Sequence, residues 1–342
     1  MTEPSAAGGA GPRGGADAGG KAAPGSDIPG MDPEILAAIR SGLSGPGPKK
    51  LPASLLYDEL GTALFEAISA LPEYGLTRAD ERILRRHAPA ITRGLATPLL
   101  VAELGSGTGR KTRWILDALA SRQTTHYYPI DISETALAKC ATVLGRLPAV
   151  RFEAIHADYL AGLASVAAQR RSAHHLLVLF LGSTIGNFEP DAARSFLREV
   201  RRTLKPGDAL LLGTDRVKPA PTLIRAYDDP LGVTAAFDRN LLARMNRDLG
   251  ASFDLALFRH EARWREAERR IEMHLVAKRA HEVAIPALDL RVSFKDGESI
   301  WTESSYKFEK DDVAKLAKAA GFEVAAEWVD EEWPFAETLL RV

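Results

Sequence analysis

The residues most able to do chemistry begin with a glycine run. Glu103-Leu-Gly105-Ser-Gly107-Thr-Gly109 follows an apolar stretch, and glycines there let a backbone turn tightly and approach a ligand closely. A dinucleotide fingerprint G-x-G-x-x-G would need glycine at position 110, where Arg110 stands. Two acidic positions follow at the ends of later apolar runs. Asp131 is placed to accept hydrogen bonds from ribose hydroxyls. Asp158-Tyr159 offers a carboxylate to an adenine amine and a ring to pack on the base. Lys111, just past the glycines, suits a ligand carboxylate.

These residues need strands that end together. From Leu99 the chain alternates strand-like runs (99–104, 126–132, 151–157, 176–181, 209–212) with helical ones (112–119, 190–204). That order implies a parallel sheet covered by helices. Runs that are apolar throughout suit strands buried on both faces. The alternation breaks at 214. A helical region at 223–249, read as two helices, precedes strand-like segments at 270–279 and 281–294, an inserted α+β unit. A helix stopped by Gly321 and a terminal antiparallel pair, 322–329 and 335–342, complete the chain. The arrangement resembles the class I sheet of S-adenosylmethionine (SAM) methyltransferases, whose first motif the form E-x-G-x-G-x-G also resembles. The implied fold is α/β: a Rossmann-like SAM domain (31–213 plus 308–342, with 50–80 contributing to the substrate pocket) and an inserted substrate domain (214–307).

Composition excludes several classes. The 342 residues are 46% hydrophobic and 26% charged, with a net charge of −1, so the basic surface of a nucleic-acid binder is missing. Asn187-Phe-Glu-Pro lacks the Pro-Pro of DNA-adenine methyltransferases, and the single cysteine, Cys140, follows Lys139 rather than the proline of cytosine-C5 enzymes. One cysteine forms neither an internal disulfide nor a Cys-rich zinc site, and no metal is expected. No apolar run approaches the ~20 residues of a membrane helix, and the start lacks a secretory apolar core. A cytoplasmic monomer without nucleic-acid or membrane partners is the expectation. Residues 1–30 are Gly, Ala or Pro at 20 positions, a composition read as a disordered tail.

Longer strings resemble one family. They are Tyr57-Asp-Glu-Leu-Gly61 with Leu64-Phe65, Leu71-Pro-Glu-Tyr74 with Thr77-Arg78, Phe180 to Asn187, Arg225 to Asn240, and Trp301 to Phe308. Together they are similar to the histidine Nα-methyltransferase of ergothioneine biosynthesis, over about residues 35–342. The resemblance implies three methyl transfers from SAM to the α-amine of L-histidine, giving hercynine. It implies that Asn187 and Tyr227 hold the substrate carboxylate and that Gly182 lies beside the amine. Tyr57, Phe65 and Tyr74 would shape the pocket, Met273 would pack near the ring, and Glu303 and Ser305 would hold the imidazole. Tyr57 is the group expected at the reacting nitrogen or its water. Cofactor contacts fall to Gly105, Gly107, Lys111, Asp131, Asp158 and Tyr159. Two residues apart in a strand-like run, Glu303 and Ser305 face one way. A carboxylate and a hydroxyl match the donor and acceptor of a neutral imidazole. The chain departs from the family's pattern at Gly75, where a second tyrosine often stands, and a freer loop is expected there.

Overall fold

The computed structural model describes residues 31–342, so the expected tail lies outside the described residues. Helix α1 (Pro33–Ser44), the short strand β1 (Lys49–Lys50), α2 (Glu59–Ala70) and α3 (Gly75–Arg93) lead into β2 (Leu99–Leu104). Then come α4 (Arg113–Ala120), β3 (Thr125–Asp131), α5 (Glu134–Leu144), β4 (Val150–Phe152), β5 (Ile155–His156), α6 (Tyr159–Gln169), β6 (His175–Phe180), α7 (Pro190–Thr203) and β7 (Ala209–Asp215). Helices α8 (Ala220–Tyr227) and α9 (Val233–Leu249) precede strands β8 (Phe258–Arg265), β9 (Arg270–Ala277), β10 (His281–Ile285), β11 (Leu290–Phe294) and β12 (Ser299–Tyr306). The chain closes with α10 (Asp312–Ala320), β13 (Glu323–Asp330) and β14 (Phe335–Arg341).

The main sheet runs β13-β14-β7-β6-β2-β3-β4, with β5 also on β3. Strands β2, β3, β6 and β7 pair in parallel, and β14 lies antiparallel between β7 and β13. Every residue of β2 and β7 is buried, as strands covered by helices on both faces must be. Helix α7 shows how the cover is made. Pro190 opens it, Ala193, Phe196, Leu197 and Val200 form the buried stripe, and Arg201 and Arg202 sit in the last turn, where cations suit the helix dipole. This is the class I methyltransferase fold, with its ligand edge at the carboxyl ends of β2, β3 and β6.

The second sheet runs β1-β12-β9-β8, beside the hairpin β10–β11. Its core joins segments far apart in the sequence: Leu36, Ile39, Leu55 and Leu56 pack with Phe237, Leu241, Phe258 and Phe294. The second half is therefore built from the amino-terminal helices together with the insertion, whereas the expected substrate domain was 214–307 with help from 50–80. Three element readings change. The run 151–157 is two short strands. The run 281–294 is a hairpin, because Pro286 opens a 3-10 turn that closes on Asp289 in the left-handed region (φ +47°). Gly75 does not loosen a loop: it is buried at the start of α3.

Candidate active site

The glycine run occupies the turn between β2 and α4. Gly105 and Gly109 have φ of +71° and +69°, a region that side chains strain to enter. A Cβ on Gly109 would also come within 2.6 Å of Cys140 Sγ. Below the turn the buried Glu103 accepts from Thr112 Oγ1 at 2.6–2.7 Å and from the Tyr127 hydroxyl. Burial pushes its carboxyl up to about 7, against those hydrogen bonds. Asp131 ends β3 and accepts from Gly107 N at 3.0 Å and Ser133 N at 2.9 Å. It thereby ties the glycine turn to the strand where a ribose is expected. Tyr159 lies with its ring edge beside Gly105, 3.3 Å from where a Cβ would be.

Two expected cofactor residues are otherwise engaged. Asp158 caps α6, its Oδ1 accepting from Leu160 N and Ala161 N at 3.0 and 2.9 Å. A helix start leaves amide protons without partners, and a preceding aspartate is well suited to take them. Its side chain is not part of the cleft wall, whereas Tyr159 is. Lys111 pairs with the fully buried Asp80, whose Oδ2 also accepts from Gly182 N at 3.0 Å. The lysine thus sits beneath Gly182 rather than in the cleft lining. Beside it, burial and the neighbouring Asp80 push the Glu337 carboxyl well above the ordinary range. Asp80 and Glu337 gave no signal in the sequence; each reads as a solvated helix or strand charge.

The remaining expected residues meet in one cleft between the two halves, with about 1130 Å³ of space including its mouth. Gly105, Gly107, Asp131 and Tyr159 line one end. At the other, Tyr57, Phe65, Tyr74, Tyr227 and Met273 form an apolar wall with Gly182, Asn187, Glu303 and Ser305. The aromatic rings meet edge to face: Tyr57–Phe65 at 5.9 Å, Phe65–Tyr74 at 6.3 Å and Tyr74–Tyr227 at 5.8 Å between centroids, a favoured geometry for such pairs. Phe237, not singled out in the sequence, stands 5.6 Å from Tyr57.

Strand β12 carries the polar groups. Glu303 and Ser305 share its buried face, with Met273 across from Glu303 on β9. Glu303 Oε1 is 3.3 Å from Tyr57 Oη and 3.4 Å from Asn187 Nδ2, both donating. Burial first, and Asp238 next, push its carboxyl up to about 7. Ser305 Oγ and Tyr227 Oη are 2.8 Å apart. Behind them, unremarked in the sequence, Lys307 continues the same alternation and donates to both. Ser183, at φ +59°, holds the turn after β6 by accepting from Asp215 N at 2.9 Å.

The open glycine turn, the Asp131 carboxylate and the Tyr159 ring suit the ribose and base of SAM, and the aromatic wall with its buried carboxylate and hydroxyl suits a small polar ring. Fold and site define a class I, SAM-dependent amino-acid N-methyltransferase. Comparison with known proteins narrows this. The profile of the histidine-specific, SAM-dependent methyltransferases matches residues 35–342, and the chain belongs to that family. It is 42% identical to a histidine N-alpha-methyltransferase of Mycolicibacterium smegmatis, over 88% of this chain and 92% of that one. It is 43% identical to a protein of the same name from Mycobacterium tuberculosis, over 91% and 96%. It is 30% identical to ergothioneine biosynthesis protein 1 of Neurospora crassa, over 82% of this chain and 32% of that one.

Proposed function

We propose that this chain transfers three methyl groups from SAM to the α-amine of L-histidine, giving hercynine for ergothioneine synthesis, and that it works as a cytoplasmic monomer on small molecules alone. The observation that carries the substrate reading is the buried pair Glu303 and Ser305 on one face of β12, inside an aromatic wall and across the cleft from the glycine turn. Both groups have partners in the wall, but a hydrocarbon ring would cover their remaining hydrogen-bonding capacity without using it, which penalises any substrate without matching nitrogens.

SAM supplies a sulfonium-activated methyl group. The protein's task is to hold a neutral amine in line with it, and such positioning accounts for much of the rate. In this reading Asn187 and Tyr227 hold the substrate carboxylate, Gly182 lies beside the amine, and Lys111 and Asp131 hold the two ends of SAM. Lys111 would reach the methionine carboxylate by exchanging part of its contact with Asp80. Each transfer needs a neutral amine, so a substrate that arrives as the ammonium gives up one proton before each of the three. Tyr57, hydrogen-bonded to a carboxyl that titrates near neutrality, is placed to pass that proton on. The test is to incubate the protein with SAM and each of the twenty amino acids and to follow mass gains of one, two and three methyl groups. Trimethylation of histidine alone is expected. Activity on tryptophan with silence on histidine would reject the reading.

A further inference from the structure

Lys307 stands behind the cleft wall, its side chain wholly buried. An ammonium has three protons; here it donates to two hydroxyls and has a carboxylate beside it as counter-charge. Asp215 Oδ2 lies at 3.0 Å, Tyr227 Oη at 2.8 Å and Ser305 Oγ at 2.8 Å. Asp215 is itself anchored, accepting from Trp333 Nε1 at 3.0 Å and pairing with Lys218. A buried lysine needs one counter-charge; the other two protons go to hydroxyls that face the cleft.

That geometry constrains the hydroxyl protons. Tyr227 Oη and Ser305 Oγ are 2.8 Å apart, so one hydroxyl donates to the other. Neither can turn its proton toward Lys307, which only donates. In the ligand-free pair one proton lies between the oxygens, and the other has no acceptor on the Lys307 side. We infer that Lys307 is a positioning residue that, by donating to both hydroxyl oxygens, keeps the protons of Tyr227 and Ser305 turned away from the core, so that Ser305 meets the substrate ring as a donor. The group it selects is an unprotonated ring nitrogen, which an imidazole offers and a thiophene does not. The inference rests on the reading of Tyr227 and Ser305 as substrate-binding residues.

The experiment compares the full-length protein with Lys307→Met, which keeps the length of the side chain and removes its protons. Dissociation constants are measured by calorimetry, with S-adenosylhomocysteine present, for L-histidine and for β-(2-thienyl)alanine, whose ring has similar size and no nitrogen. SAM affinity is measured separately. Histidine binding should weaken at least tenfold, thienylalanine less than twofold, and SAM affinity should not change. Equal losses for both amino acids, or no loss for histidine, would overturn the inference. Asp215 keeps its pairing with Lys218 in the Lys307→Met variant, and Lys307→Leu, a second apolar replacement, should give the same split if Lys307→Met folds poorly. Ser305→Ala separates the two layers of the argument. If it leaves histidine affinity unchanged, the reading of the pocket fails; if it weakens histidine and Lys307→Met does not, only the role of Lys307 fails.

Discussion

Trp333 occupies the space that any side chain at position 75 would need: a Cβ built on Gly75 would overlap the indole ring. The same indole donates to Asp215 at 3.0 Å and lies under the Lys218 ammonium at 4.8 Å. In an open helix, Gly→Ala would stabilise by ~1 kcal/mol. Here overpacking opposes it, at a cost of about 1–3 kcal/mol. Gly75→Ala should therefore lower the denaturant midpoint, and Trp333→Ala in the same chain should remove most of that difference. A midpoint equal to or above the parent's would show that the indole moves aside freely.

The buried Glu303 ties stability to pH. Its carboxyl is raised from 4.5 to about 7, by burial first, so the folded protein takes up protons there that the unfolded chain does not. The resulting stabilisation is complete below about 4.5 and is lost as pH rises through about 7. At ~1.4 kcal/mol per pH unit, the whole effect is about 3 kcal/mol. Glu303→Gln cannot ionise, so unfolding free energies of the ligand-free variant should gain on the parent's by about that amount between pH 4.5 and 7.5. Parallel curves would mean that the carboxyl titrates normally.

Tyr57 donates to Glu303 and faces the cleft. Tyr57→Phe keeps the ring contacts with Phe65 and Phe237 and removes only the hydroxyl. Methyl transfer should slow at least tenfold, ~1.4 kcal/mol of transition-state stabilisation, with SAM affinity intact. Mass analysis of single-turnover reactions would resolve the three steps. Unchanged rates at all three would remove Tyr57 from the chemistry.

The parallel half of the fold was legible because its strands are buried on both faces and read as unbroken apolar runs between helical ones. The substrate half was harder. Strand β8, Phe-Arg-His-Glu-Ala-Arg-Trp-Arg, alternates buried Phe258, His260 and Ala262 with charged residues, and that pattern passed unread. At the site, Glu303 and Ser305 stood out through their spacing and the family resemblance. Lys307 is the next position in the same alternation, but its meaning depends on Asp215, delivered by β7 from the other half. Asp80 is similar: within Leu-Thr-Arg-Ala-Asp-Glu-Arg it looks like a surface charge, and only the approach of Lys111 and Gly182 makes it a buried anchor. Partners of this kind arise from tertiary approach, which local pattern does not encode.

Lys49–Lys50 pairs in parallel with Ile300–Trp301, and β14 fits between β7 and β13. Each half thus recruits a strand from far along the chain, and closing such long loops costs entropy before any contact repays it. During synthesis β1 must wait for residues 300–301 before it can pair, and β7 must wait for residues 335–341 before its second edge is covered. Until β14 arrives, β7 is an open edge beside the central strands, a hazard of the nascent chain that β14 removes.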